Sequence, residues 1–230
     1  FGRFGYTFGI ISSKIPFSYG NTKRDVAWDT STITGPDGED WRVPVSELQD
    51  RQSRLSSRLA EEGIESVFIE DPVELYWLTG GRQNSAILIG SEGSGIRTTH
   101  WVRRSVRRAV FEGGGDDCPH QVEEHPRMGD LGRKLAKSGC SRAPSMLAGK
   151  VPHGRWSFIS SKFSDLDGSP SDCTGVLFEM RELKSKWEIG MIRKSGEVNL
   201  SMFEAVRDSG GLGSSELEMA GAADRVSRSS

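Results

Sequence analysis

"SELQDRQSRLSSRLAEEGIESVFIEDPVELYWLTG", residues 46–80, switches from one hydrophobic period to another. Leu48, Leu55 and Leu59 recur at helical spacing, with Gln52 as a polar interruption of the stripe. Ser46 and Gln49 have the spacing of a capping box, in which each side chain satisfies the other's free backbone donor. Gly63 offers the left-handed residue that stops such a helix. "ESVFIE" (65–70) then reads as a short buried strand, ended at Asp71-Pro72 because proline restricts the residue before it. The stretch is a helix joined tightly to a strand.

Working outward, the run Ala86–Ile89 suits a central strand, Glu92–Gly95 a hairpin loop, and Ile96–Val102 its partner strand. "RRSVRRAVFE" (103–112) starts a helix that "GGGDD" (113–117) breaks, and "HQVEEHP" (120–126) is a short strand candidate. "RMGDLGRKLAKSG" (127–139) is amphipathic on Met128, Leu131 and Leu135, with Gly139 as its stop. "RWSFISSKF" (155–163) is a weaker helix candidate, and "SDLDGSPSD" (164–172) is loop or strand edge. Helices alternating with short strands predict an α/β fold with a mixed β-sheet flanked by helices.

Residues 1–44 show no sustained period and are rich in turn signals, so the expectation is a poorly ordered extension. The chain opens on Phe1 rather than Met, which suggests a fragment or a processed end, and the opening lacks the pattern of a secretory signal. Near the other end, "MRELKSKWEIGMIRKSGEVNLSMFEAV" (180–206) carries a second capping box, Ser185 with Glu188. Ile189, Ile192, Gly196 and Phe203 follow along one helical face, where Gly196 would let a neighbouring element approach closely.

Composition narrows the classes. With 230 residues, 35% of them hydrophobic, and 28 glycines, the chain fits a loop-rich globular protein. A net charge of −2 gives no general pull toward nucleic acid or anionic membranes. No apolar run approaches the ~18 residues needed to span a bilayer. Cys118, Cys140 and Cys173 are odd in number and form no C-x-x-C, which suits a reduced, cytoplasmic protein.

Four segments, in this order, resemble the creatinase, prolidase and aminopeptidase P family of Xaa-Pro peptidases. The first is residues 46–80, through Arg51, Arg54, Leu55, Leu59, Gly63-Ile64, Val67 to Ile69 and Leu75 to Gly80. The second is "AILIGSEGSGIRTTHWVRRSVRRA" (86–109), ending in Val102, Arg103, Ser105, Arg108 and Ala109. The third resembles the family's domain junction through Arg181, Leu183, Lys184, Ser185, Glu188, Ile189, Ile192 and Arg193; Lys186 stands where the family usually has Pro, and Ser195 where it usually has Ala. The fourth is "GLGSSELEMA" (211–220), through Gly213, Ser215, Glu216, Glu218 and Ala220. Residues 113–172 match least.

The resemblance implies a ribonuclease H-like creatinase N-terminal domain over 45–180 and, over 181–230, the truncated start of a catalytic pita-bread domain. It implies a homodimer assembled through the first domain, which also roofs the active site. The substrates it implies are proline-containing peptides. Family peptidases use two divalent metal ions, such as Mn, Co or Zn, held by two Asp, one His and two Glu that lie beyond the "G-x-T-E" segment. The resemblance therefore implies no catalytic residue and no metal ligand in this chain, and no activity for it alone. The turn from Tyr76 to Arg82 is the expected substrate-facing part: Tyr76 and Trp77 would pack on a proline ring, or else in the core, and Arg82 would meet a carboxylate.

Two other readings come from the residues themselves. Cys118, His120, Glu123, Glu124 and His125 are ligand types in a short span, but zinc sites favour tighter paired spacing, and a solvated loop with an edge strand is the simpler reading. Arg97, His100, Trp101, Arg103, Arg104, Arg107 and Arg108 combine charge with an aromatic, the recipe for nucleic-acid binding. Because the run straddles a strand end and a helix start, its charges fan out, and a solvated or dimer-facing surface is preferred. A free-standing binding or regulatory module is the remaining alternative.

Overall fold

The computed structural model describes residues 39–229, all within one compact unit, residues 33–230; the expected extension falls almost wholly outside the described residues. The elements run α1 (Val45–Glu61), β1 (Ser66–Ile69), α2 (Pro72–Thr79), β2 (Ser85–Gly90), β3 (Thr99–Val102), α3 (Val106–Glu112), β4 (Gln121–Glu124), α4 (Leu131–Lys137), α5 (His153–Ser160), α6 (Thr174–Glu182), α7 (Lys186–Ser209) and α8 (Glu216–Ser229). The strands form one mixed sheet in the order β1-β2-β3-β4, antiparallel except for the parallel β3–β4 pair. Ser145 extends the sheet beyond β1, bonding Phe68 N–H and the Ser66 carbonyl at 2.9 Å each.

Strand side chains alternate between faces, and the two faces bury separate clusters. Val67, Ile69, Ile87 and Ile89 pack with Leu55 and Leu59 of α1, Leu75, Trp77 and Leu78 of α2, and Leu177 of α6. Phe68, Ala86, Leu88 and Trp101 face the other way, onto Leu131 and Leu135 of α4 and Ile159 and Phe163 at the end of α5. The molecule is therefore layered helix–sheet–helix, as its alternating sequence pattern predicts.

Several local expectations change. Helix α1 starts two residues earlier than the Ser46–Gln49 box requires. Pro44, with φ −58° and ψ 142°, is the N-cap, and no side chain caps the end. The Pro44 carbonyl takes the Glu47 and Leu48 amides at 3.0 and 3.1 Å, and buried Val43 and Leu48 occupy the staple positions that fix the entry angle. Gly63, at φ +67°, is the left-handed stop as read. Strand β3 begins at Thr99 rather than Ile96, because Ile96 folds in over Gly90, where an added Cβ would lie 2.5 Å from the Ile96 Cβ. Helix α2 forms where only a turn was expected: Asp71 Oδ1 accepts from Val73 and Glu74 N–H at 3.0 and 3.1 Å, and Pro72 pre-sets the first turn. Helix α6 was likewise unforeseen.

The second capping box forms as read, with Ser185 Oγ accepting from Glu188 N–H at 3.1 Å and Glu188 Oε2 from Ser185 N–H at 2.8 Å. Beyond that turn α7 packs chiefly on α8, and neither helix has a buried residue. Ile192 is 58% and Phe203 68% exposed. A Cβ at Gly196 would meet nothing within 4 Å, so the expected close approach does not occur among the described residues.

This layering separates core from stripe. Leu59→Ala, in the core, is expected to cost about 2–5 kcal/mol. Ile192→Ser with Phe203→Ser is expected to cost about 0.5 kcal/mol or less per site and to raise solubility. Urea titrations of both variants check this; a double variant as damaged as Leu59→Ala would make α7 part of the core.

Candidate functional site

Helix α2 ends in the Tyr76–Arg82 turn, and two side chains of α1 decide how. The last carbonyls of a helix lack intrahelical partners. Here Gly80, left-handed at φ +69°, returns its N–H to the Tyr76 carbonyl at 2.9 Å. Arg51 Nη1 donates to the Trp77 carbonyl at 2.8 Å, and Gln52 Nε2 to the Leu78 carbonyl at 2.7 Å. Gln52, the apparent defect in the apolar stripe, is thus a cap supplied from another helix.

Arg51, only 2% exposed, also joins the far segment. Its Nη2 lies 3.1 Å from Glu188 Oε1 and 3.0 Å from Glu47 Oε1, and its guanidinium stands over the rings of Trp77 and Trp187, 5.1 and 5.6 Å from the centroids. The Trp77 indole donates to the same Glu188 oxygen at 2.8 Å. Burial works to raise the Glu188 pKa, but the Ser185 N–H, the Trp77 indole and Arg51 more than offset it and hold the carboxyl below its usual range.

The sequence-predicted site residues therefore separate. Trp77 is buried in the core with its indole committed to Glu188, so core packing accounts for it. Arg82 is exposed, its guanidinium 5.4 Å from the centroid of the Tyr76 ring. It stands on the wall of a cleft of about 820 Å³ with Glu70, Asn84, Arg103, Arg155 and Phe158. Glu70 takes Arg155 in a two-pronged pair at 2.6 and 2.9 Å and has Arg103 at 3.8 Å. Three guanidiniums and one carboxylate line the cleft and leave it net positive, suited to a carboxylate-bearing ligand. The pairing of Arg103 and Arg155 was missed because their neighbour Glu70 comes from another element.

Behind the turn lies a polar interior. His100 and His120 meet edge to face with centroids 5.4 Å apart. Ser85 Oγ lies 2.8 Å from His100 Nε2, and Gln52 Nε2 lies 3.0 Å from His120 Nδ1. Burial lowers the His100 pKa to about 4; burial, with His100 as neighbour, lowers that of His120 to about 3. His120 is thus interior, not the solvated loop residue expected. Its neighbours diverge: Glu123 holds Lys134 at 2.6 Å and the Trp101 indole at 3.1 Å, while His125 Nδ1 lies 2.7 Å from the Pro126 carbonyl. Among the described residues no group of three or more His, Cys, Asp or Glu could hold a metal ion. Burial also pushes the Cys140 thiol up to about 11 and Cys173 to about 12, so neither is a nucleophile at neutral pH.

In the basic run, His100 and Trp101 are fully buried, which removes the ring needed to stack on bases. Arg103 turns to Asn84 at 3.1 Å and Arg108 to Glu112 at 2.8 Å. No helix among the described residues is long and apolar enough to cross a membrane.

No family model matches the sequence, and no curated protein matches it. Solved structures do. An Xaa-Pro dipeptidase from Bacillus anthracis superposes with a TM-score of 0.66 at 16% identity, over 79% of this chain and 49% of its own. The prolidase from Pyrococcus horikoshii OT3 gives 0.62 at 18% identity, over 78% and 48%. An X-Pro aminopeptidase from Thermotoga maritima MSB8 gives 0.58 at 20% identity, over 75% and 49%. The chain shares its fold with these peptidase structures and spans about half their length.

Two predictions follow from the interior. Arg51→Met removes the buried cation that Glu188 and Glu47 share and the donor to the Trp77 carbonyl, and is expected to cost about 3 kcal/mol in a denaturant titration. The histidines bind protons better unfolded, near pH 6.5, than folded, so their contribution is full above that pH and is lost as pH falls toward 4. His100 alone is expected to remove on the order of 3 kcal/mol over that window, and His100→Asn to flatten the pH dependence measured by urea titration.

Proposed function

We propose that residues 45–180 are the non-catalytic first domain of an Xaa-Pro peptidase, and that residues 181–230 begin its catalytic, pita-bread domain. The observation that carries this is the fold shared with the B. anthracis dipeptidase over 79% of the chain. The four ordered sequence segments support it independently. So does the junction, where the Ser185–Glu188 box tied to Arg51 and Trp77 fixes the start of α7 against the first domain. The open stripe on α7 is the face a following domain would cover.

The first domain's work, in this reading, is assembly of a cytoplasmic homodimer and roofing of the active site. Arg82, backed by Tyr76, faces the substrate across the net-positive cleft and takes the carboxylate of a proline-containing peptide. Trp77 supports that turn from behind. The described residues do not fit the family's two-metal site, so no step of the reaction is assigned to them.

Purified chain is expected to release no amino acid from an Xaa-Pro dipeptide with added manganese, cobalt or zinc, and to sediment as a dimer. Chelator-sensitive release overturns the assignment of a non-catalytic domain. Titration with a proline dipeptide is expected to weaken about tenfold on Arg82→Ala, the loss of one charge-assisted carboxylate contact. Unchanged binding moves the substrate face elsewhere.

A further inference from the structure

A second cavity, apart from the Arg82 cleft, lies between α1, Glu92 after β2, Thr98 before β3 and Pro119 before β4, and measures about 380 Å³. Its one buried wall residue is Gln52, 6% exposed. The Gln52 amide has a fixed orientation. Nε2 donates to the Leu78 carbonyl at 2.7 Å and lies 3.0 Å from His120 Nδ1, so both of its N–H bonds are spent inward. Turning the amide over would set its oxygen against the Leu78 carbonyl. The remaining atom, Oε1, has no donor among the described residues and, unlike the sealed Nε of Arg51, keeps access to the cavity.

Further acceptors gather beside it. Ser56 stands one turn along the same face of α1. Its Oγ gives its proton to the Gly90 carbonyl at 2.7 Å, which leaves that oxygen as an acceptor only. The Glu92 N–H bonds to the Ser56 carbonyl at 3.0 Å, which holds Glu92 next to this pair. Glu92 Oε2 accepts from Ser57 Oγ at 2.7 Å, and Oε1 remains open. Glu92 is the wall's one charged residue, and no Lys, Arg or His balances it.

The wall selects by exclusion. An anion finds no cation here. A quaternary ammonium finds no aromatic face. Ser57 on one Glu92 oxygen interrupts the two-pronged seat that a guanidinium uses. A primary ammonium, a compact charge with three donors, matches Gln52 Oε1, Ser56 Oγ and Glu92. Ser53 and Thr98 add hydroxyls, and Pro119 is the only apolar wall residue, so the rest of the ligand is polar.

We propose that this cavity binds a small primary amino alcohol. Its ammonium donates to Gln52 Oε1, Ser56 Oγ and Glu92, and its hydroxyl meets Ser53 or Thr98. A cation on Oε1 polarises the Gln52 amide and strengthens the Nε2 bond to the Leu78 carbonyl, so an occupant tightens the Tyr76–Arg82 turn from behind. The assignment does not depend on the peptidase reading.

Isothermal titration of the whole chain with ethanolamine tests it. Saturable binding is expected, with a raised melting temperature. Ethylene glycol, with a hydroxyl in place of the ammonium, and choline, a cation of the same body without N–H donors, are each expected to bind about tenfold more weakly or not at all. Glu92→Gln, at an exposed position, is expected to weaken ethanolamine about tenfold while the chain stays folded. In NMR spectra of the unaltered chain the Gln52 side-chain amide is expected to shift as ethanolamine is added, which places the amine at this cavity. Absence of saturable heat overturns the proposal. So does ethylene glycol or choline binding as tightly as ethanolamine, an unchanged affinity in Glu92→Gln, or a Gln52 amide that does not move.

Discussion

Everything around the Tyr76–Arg82 turn depends on one buried guanidinium. A charge in the interior is tolerated only when its donors are used. Arg51 uses both terminal nitrogens, reaching a backbone carbonyl on α2, a carboxylate on its own helix and another on α7, with an indole ring beneath it, and leaves only its buried Nε–H unpaired. A lysine would not substitute, because a single ammonium lacks the planar fork that serves several directions at once. Three elements far apart in sequence are thereby fixed to one point, and Gln52, its neighbour on α1, fixes the next carbonyl of α2. Two of the turn's carbonyls are thus capped from α1 rather than from within the turn.

This explains which features were legible in the sequence. Leucines 48, 55 and 59, the short apolar runs of β1 and β2, and the Ser185–Glu188 box are local patterns, and each forms as read. Helices α2 and α6 were not legible as helices. Both are short, and α2 is apolar nearly all round, so neither shows a clear stripe. The roles of Gln52 and His120 were invisible for another reason. A glutamine within a leucine stripe and a histidine in an acid-rich segment look like solvent-facing residues until the chain brings them within 3.0 Å of each other. Of the candidate site, Arg82 could be read from the turn that carries it; the guanidiniums around Glu70 could not, because they gather only in the folded sheet end.

The polar groups of the molecule fall into two kinds. His100, His120 and the amide nitrogen of Gln52 are enclosed and serve one another or the backbone, which makes them part of the scaffold. Arg82, Arg103 and Arg155 open onto a cleft. Structures sharing only 16–20% identity with this chain keep the same fold. Layer packing of that sort tolerates wide substitution so long as pattern and volume are kept, so chemistry on these open surfaces is free to differ where the fold does not.

The sheet's margins set how copies of this chain can meet. On one side the 145–146 and 171–172 segments already occupy the edge, with Met146 N–H bonded to the Ser171 carbonyl at 2.9 Å. On the other, β4 is four residues long and carries Glu123 and Glu124. Short, charged edges resist the addition of a foreign strand. Backbone pairing between molecules is thus disfavoured along this sheet. Growth of the sheet into fibrils is disfavoured by the same two devices, whereas the open faces of α7 and α8 leave the chain prone to amorphous, concentration-dependent clumping.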